Sequence, residues 1–221
     1  MKKIYFFLIF TILLVLVPLT IFKVTPLEII QKYPYTVITL FQRITGLTLF
    51  ILLFVQIILG AFMGRLTDKL GGWIYKFHIF EGKLTYLLAI AHPVLLMLFS
   101  YFTGHKLDPY VVFVNACLLC QTPSGYYYTL GIVSFWLLTV TVLAAVFRSA
   151  NTWMKTNWRK LHVLNYIVFL LVGAHGFFLG RDFRTQPFFT FAMVAYAVVS
   201  GIIIFVEIPR LYKNFRSWLK G

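Results

Sequence analysis

Residues 77–93, FHIFEGKLTYLLAIAHP, hold two histidines, His78 and His92, fourteen residues apart in a segment that is otherwise nearly all apolar. An ionisable side chain is costly inside a bilayer and usually has a function there. The segment belongs to a chain of 221 residues that is 61% hydrophobic and only 12% charged. Soluble domains are nearer half apolar and a quarter charged. The apolar residues also come in long blocks rather than in alternation. These features define a polytopic membrane protein.

Six blocks are long enough to cross a hydrocarbon core, which takes about 20 helical residues. They are residues 4–22, 35–63, 73–102, 127–147, 158–179 and 187–208. The alternating pattern of a membrane barrel is absent, and helices alone satisfy their own backbone in lipid. The expected fold is an all-α membrane protein, a six-transmembrane-helix bundle forming one domain over 1–221. The first block is too long for the apolar region of a signal peptide, and no small-residue cleavage site follows it. It reads as a retained membrane helix.

The net charge of +14 is distributed between the apolar blocks. There it orients helices and meets anionic lipid headgroups, and no nucleic-acid motif accompanies it. With both termini inside, the inner segments carry fourteen of the twenty Lys and Arg residues. The outer side carries Lys23, Lys32, Arg43, Lys106, Arg181 and Arg184. This bias predicts a plasma (inner) membrane protein with both termini cytoplasmic. Trp73, Trp153, Trp158 and Trp218 fall near the inner interface, where indole rings settle. Gly60 and Gly64 form a GxxxG on the second helix that permits close packing. Thr156 or Asn157 is expected to cap the fifth helix.

Four of the five histidines form two pairs, His78 and His92 on the third helix and His162 and His175 on the fifth. His105 lies in an outer loop and reads as solvated. At 1.5 Å per residue the two spacings are about 21 and 20 Å, so both helices divide the membrane alike. The third and fifth helices run in the same sense. His78 and His162 therefore share an inner level, and His92 and His175 an outer one. One imidazole from each of two helices at each of two depths suits two stacked bis-histidine haems, whereas a bare metal ion needs more ligands at one point. The angles support half of this. Fourteen residues at about 100° leave His92 within about 40° of His78, but thirteen leave His175 about 140° from His162 on a straight helix. A tilt, or a distortion near Gly173 and Gly176, is the expected remedy. Gly82, on the face of His78, is expected to leave room for a flat macrocycle. Buried polar packing, a non-haem metal and a proton relay are the other readings of these histidines.

The stretches HIFEGKL at 78–84, HP at 92–93, WRKLH at 158–162 and AHG at 174–176 resemble the ferric-reductase-like transmembrane domain. NADPH oxidases, ferric reductases and the haem-bearing membrane subunit of bacterial methionine sulfoxide reductase share that domain. The resemblance covers the six helices. It implies an inner haem b on His78 and His162, an outer haem b on His92 and His175, and electron flow from the cytoplasmic to the outer side. The uneven spacing of fourteen and thirteen is what the oxidases show. The methionine sulfoxide reductase subunit lacks the inner histidine of the third helix, and His78 fills that position here, which favours the two-haem type. The oxidases and reductases usually continue into a flavin- and NADPH-binding domain. Here no GxGxxG occurs and the chain stops soon after the sixth helix. Flavin and NAD(P)H are therefore expected only on a separate flavoprotein reductase, with quinol as the other candidate donor.

Arg43 lies about eight residues into the second helix, near the depth of the outer haem. Either it serves that haem's propionate or an anionic acceptor, or it snorkels to the headgroups. Lys76, Arg159 and Lys160 suit inner propionates or a docked donor, and Arg181 and Arg184 an outer acceptor. Cys117 and Cys120 form a CxxC in the outer segment between the third and fourth helices. A structural disulfide or buried thiols stand as one reading and an electron-accepting pair as the other. Three functions compete: an oxidoreductase acting on ferric chelates or oxygen, a subunit feeding an extracytoplasmic reductase such as methionine sulfoxide reductase, and a haem-free bundle.

Overall fold

In the computed structural model, which describes residues 2–32, 35–210 and 212, six long apolar helical spans make up an integral membrane protein. Among the described residues ten α-helices run in chain order: α1 Lys2–Val24, α2 Leu27–Lys32, α3 Thr36–Ala61, α4 Met63–Leu70, α5 Trp73–Phe102, α6 Pro109–Phe113, α7 Pro123–Val146, α8 Thr152–His162, α9 Asn165–Leu179 and α10 Phe188–Ile202. A 3₁₀ turn, Asp182–Arg184, precedes α10, and a π-helical turn, Ile203–Glu207, follows it. No strand occurs among the described residues. The spans are α1, α3, α5, α7, α8 with α9, and α10 with its continuation to Arg210.

The buried centre is α3. Its residues from Leu47 to Ala61 include Phe50, Ile51 and Leu52, all buried, and it packs against α1, α5, α9 and α10. The Phe50 ring lies 4.7 Å from Phe169 of α9 and 4.9 Å from Phe183 of the 3₁₀ turn. Such offset and edge-on aromatic contacts add to area burial in a setting where lipid weakens the hydrophobic drive. At the basic end, Trp73 packs on Phe6 and Phe7 and gives its indole N–H to the Leu70 carbonyl. Trp153 is exposed, and Trp218 lies outside the described residues, with Lys213, Arg216 and Lys220.

Several local expectations change. The GxxxG does not act as one packed face, because the helix breaks at Phe62. Gly60 ends up on α3 facing His78, and Gly64 on α4 faces open space. The fifth span starts six residues earlier than its apolar block. Asn151 caps it by accepting the Met154 N–H, while Thr156 and Asn157 bond carbonyls inside α8. The fourth starts at Pro123, whose missing N–H costs nothing in a first turn. Between α8 and α9 the chain tightens at Val163–Leu164. There the Leu164 N–H meets the Leu161 carbonyl and the Tyr166 N–H the Val163 carbonyl, both three residues back.

That turn supplies part of the angle missing from the fifth span. A 3₁₀ residue advances about 120° instead of 100°, so each one swings His175 about 20° closer to the face of His162. The distortion sits directly after His162 and not near the glycines. Gly173 and Gly176 instead admit the rings of Tyr196 and Phe183 against α9.

Candidate functional site

Two pairs of antiparallel helices build the site: α3 lies along α5, and α7 along α9. The histidine-bearing segments α5 and α8–α9 make few direct contacts with each other. Their imidazoles nevertheless face across the gap. The ring centroids of His78 and His162 are 6.4 Å apart at 81°, and those of His92 and His175 are 6.5 Å apart at 79°. A metal–nitrogen bond of about 2.0 Å and a ring radius of roughly 1.1 Å would put two imidazole centroids on opposite sides of one metal about 6.2 Å apart. Both pairs fit that separation. The four rings paired by depth and direction are the four brought together, and exposed His105 stays outside.

Each outer ring is seated by the helix beside it. The Nδ1 of His92 lies 2.9 Å from the Gln42 carbonyl, and Gly46, one turn on, faces the same ring. The Nδ1 of His175 lies 2.8 Å from the Tyr127 carbonyl, and Gly131, again one turn on, faces that ring. A Cβ at Gly46 would meet His92 Cε1 at 2.9 Å, and one at Gly131 would meet His175 Cε1 at 2.7 Å. Only glycine allows this approach. An Nδ1–H donating to a carbonyl fixes the tautomer and leaves Nε2 with a lone pair free to ligate a metal. Tyr127 is itself stacked on Phe178 of α9 at 4.2 Å, which ties the start of α7 to the end of α9.

The inner pair is held more loosely. His162 Nδ1 lies 3.5 Å from the Thr141 carbonyl and 3.4 Å from Asn165 Nδ2. His78 Nδ1 is buried without a hydrogen-bond partner among the described residues. An orphaned ring nitrogen is costly in a dry interior, and the cost ends when that nitrogen gains a partner. Gly82, expected beside a macrocycle, faces Gln56 of α3. The Gln56 amide donates to the His78 carbonyl at 2.9 Å and to the Glu81 carboxyl. Thr85 also donates to Glu81, which is fully buried.

Sequence reasoning missed Gln42, Gly46, Tyr127, Gly131 and the Gln56–Glu81 pair. An isolated glycine inside a bulky apolar helix is a sequence signal of close approach. Gly46 and Gly60 repeat the fourteen-residue interval of His78 and His92, as antiparallel neighbours must. Backbone carbonyl partners leave no such mark.

Arg43 neither points to headgroups nor stands free. Its Nε and Nη2 donate to Asp182 at 2.5 and 2.6 Å, and its Nη1 donates to Thr25 at 2.7 Å. The bidentate pair joins α3 to the 3₁₀ turn, with Asp182 buried. Lys76, Arg159 and Lys160 are exposed at the end of His78 and His162, and Arg181 and Arg184 at the other end. Cys117 and Cys120 are joined as a disulfide, which removes the reading of free buried thiols.

Helices and rings thus define a membrane protein with two facing histidine pairs at two depths. The chain is similar to proteins named protein-methionine-sulfoxide reductase heme-binding subunit MsrQ. It is 33% identical over 94 residues to that of Yersinia enterocolitica, covering 42% of each chain. It is 31% identical over 98 residues to that of Yersinia pestis, covering 42% of this chain and 44% of the relative. The matched stretch spans less than half the length of these curated relatives. No family model and no solved structure matches the chain.

Proposed function

We propose that the chain is the haem-bearing membrane subunit of a reductase system. It would carry electrons across the membrane to an extracytoplasmic reductase of the methionine sulfoxide type. The observation that carries this reading is the pair of histidine couples, each at axial-ligand separation, stacked about 20 Å apart along α5 and α8–α9. Bound b haems, one on His78 and His162 and one on His92 and His175, supply reversible one-electron chemistry. The protein contributes ligation, burial and orientation. Gln42 and Tyr127 lock the outer imidazoles, Gly46 and Gly131 let them approach, and the helices exclude water. With two histidines holding each haem, no coordination position would be open to an acceptor, and transfer would be outer-sphere.

The positive-inside bias assigns His78 and His162 to the cytoplasmic side of the inner membrane, with both termini cytoplasmic. Electrons arrive there from a separate flavoprotein, which holds the flavin and NAD(P)H, or from a quinol. Exposed Lys76, Arg159 and Lys160 offer that donor a cationic edge. Arg43 acts as a positioning residue. Through Asp182 it fixes the turn beside the outer pair, and its remaining N–H groups are free for an outer propionate.

One observation favours a second reading, direct reduction of ferric chelates or oxygen. The inner pair is complete, as in the oxidases and ferric reductases that the sequence resembles. The two separate in one experiment. Reduced, haem-loaded protein is mixed with ferric citrate, with air, or with a purified extracytoplasmic methionine sulfoxide reductase and its substrate. The proposal expects fast reoxidation only in the last mixture. Fast reoxidation by ferric citrate or air without the reductase overturns it in favour of the second reading.

A further inference from the structure

Sequence alone left the CxxC open, and the structure ties it to the outer histidine pair. Cys117 and Cys120 are bonded to each other in the segment between α6 and α7. That segment is packed onto the first turns of α7. The Cys117 N–H donates to Thr129 Oγ1 at 2.9 Å, and Thr129 Oγ1 donates to the Cys117 carbonyl at 3.3 Å. A Cβ at Gly125 would meet Cys120 Sγ at 3.0 Å. Cys120 and Tyr127 line one outer pocket of about 470 Å³, together with Gln121, Thr122, Pro123 and Tyr126. Tyr127 is the residue whose carbonyl holds His175. Cys120 thus shares an outer pocket with the residue that holds His175. Both cysteines are partly accessible, and Leu118 and Leu119 between them are 87% and 92% exposed. A disulfide that only staples the fold has no need of the pocket that reaches the ligand's partner.

We infer that the Cys117–Cys120 disulfide is a two-electron acceptor for the outer site and the exit point of the conduit. The inference rests on the proposed haem function. His92 and His175 would hold the one-electron carrier, and two electrons delivered singly from it would be the reductant for the disulfide. The Sγ–Sγ bond breaks, and two protons from water at the outer face complete two thiols. One one-electron carrier on each histidine pair would supply together the two electrons that one disulfide consumes. An oxidised disulfide on an extracytoplasmic protein then re-forms the Cys117–Cys120 bond by thiol–disulfide exchange.

The test is an anaerobic reductive titration of the purified haem-loaded chain with dithionite. Samples are quenched in acid and their thiols counted with a mass-tagged maleimide. The inference expects four electrons per chain and two labelled thiols appearing as the haems are reduced. A Cys117→Ser/Cys120→Ser variant should take two electrons and no label. Haem-stripped protein under the same reductant should form thiols about tenfold more slowly or worse. Fully reduced haems with unlabelled cysteines overturn the inference while leaving the haem function intact. Equally fast thiol formation without haem overturns it as well. A chain that binds no haem refutes the function and the inference together. If the double variant does not fold, the wild-type and haem-stripped arms decide.

Discussion

Gly131→Ala is the sharpest perturbation of the outer site. The added Cβ would stand 2.7 Å from His175 Cε1 and 2.8 Å from its Nδ1, where ordinary contact begins at 3.4 Å. The ring must retreat by about 0.7 Å, or α7 must move away from α9. A ring so displaced cannot keep both its 2.8 Å bond to the Tyr127 carbonyl and its place opposite His92. Loss of a partner that orients a metal ligand typically costs about 10- to 100-fold in affinity, or about 1.4–2.7 kcal/mol. The inner pair is untouched, so purified Gly131→Ala should retain about one haem per chain or show a shifted outer midpoint potential. Gly64→Ala, which meets nothing within 4 Å, is the matched control and should behave as wild type. Quantified haem and a spectroscopic redox titration read both variants. Two haems with unchanged potentials in Gly131→Ala would refute the claim that this glycine seats the ligand.

Arg43→Ala leaves Asp182 buried without its cation and should cost about 3–5 kcal/mol, while Arg43→Ala/Asp182→Ala recovers much of that loss; thermal unfolding in detergent compares them, and a double variant no better than the single refutes the pairing. Gln56→Leu removes the donor to the His78 carbonyl and to Glu81, so it should lower stability by about 1–3 kcal/mol and loosen only the inner haem, as read by haem content and potentials. A label directed to a cysteine introduced at His105 should react from outside intact cells, and reaction only after lysis would reverse the assigned orientation.

The six spans were legible because each is a long apolar block, and pairing by depth followed from spacings of fourteen and thirteen residues. Part of the rotation that turns His175 toward the helix face of His162 was hidden. The tight turn at Val163–Leu164 uses two ordinary apolar residues, with no glycine or proline to mark it. Arg43 was visible as a membrane charge, but Asp182 stands 139 residues away and its approach depends on the packing of Phe183 beside it. Gly82 was misread because face alone does not tell which neighbour fills a gap, and here Gln56 fills it. The supports of the outer rings were opaque for a related reason. Any residue offers a carbonyl, so Gln42 and Tyr127 become partners only once α3 and α7 are docked.

The most direct measurement is an absorption spectrum of the detergent-purified protein, oxidised and reduced, with haem quantified per chain. Two low-spin b haems per chain are expected, falling to one in His78→Ala and one in His92→Ala. No haem in protein made with haem available would contradict the account and leave a helical bundle whose histidines merely pack.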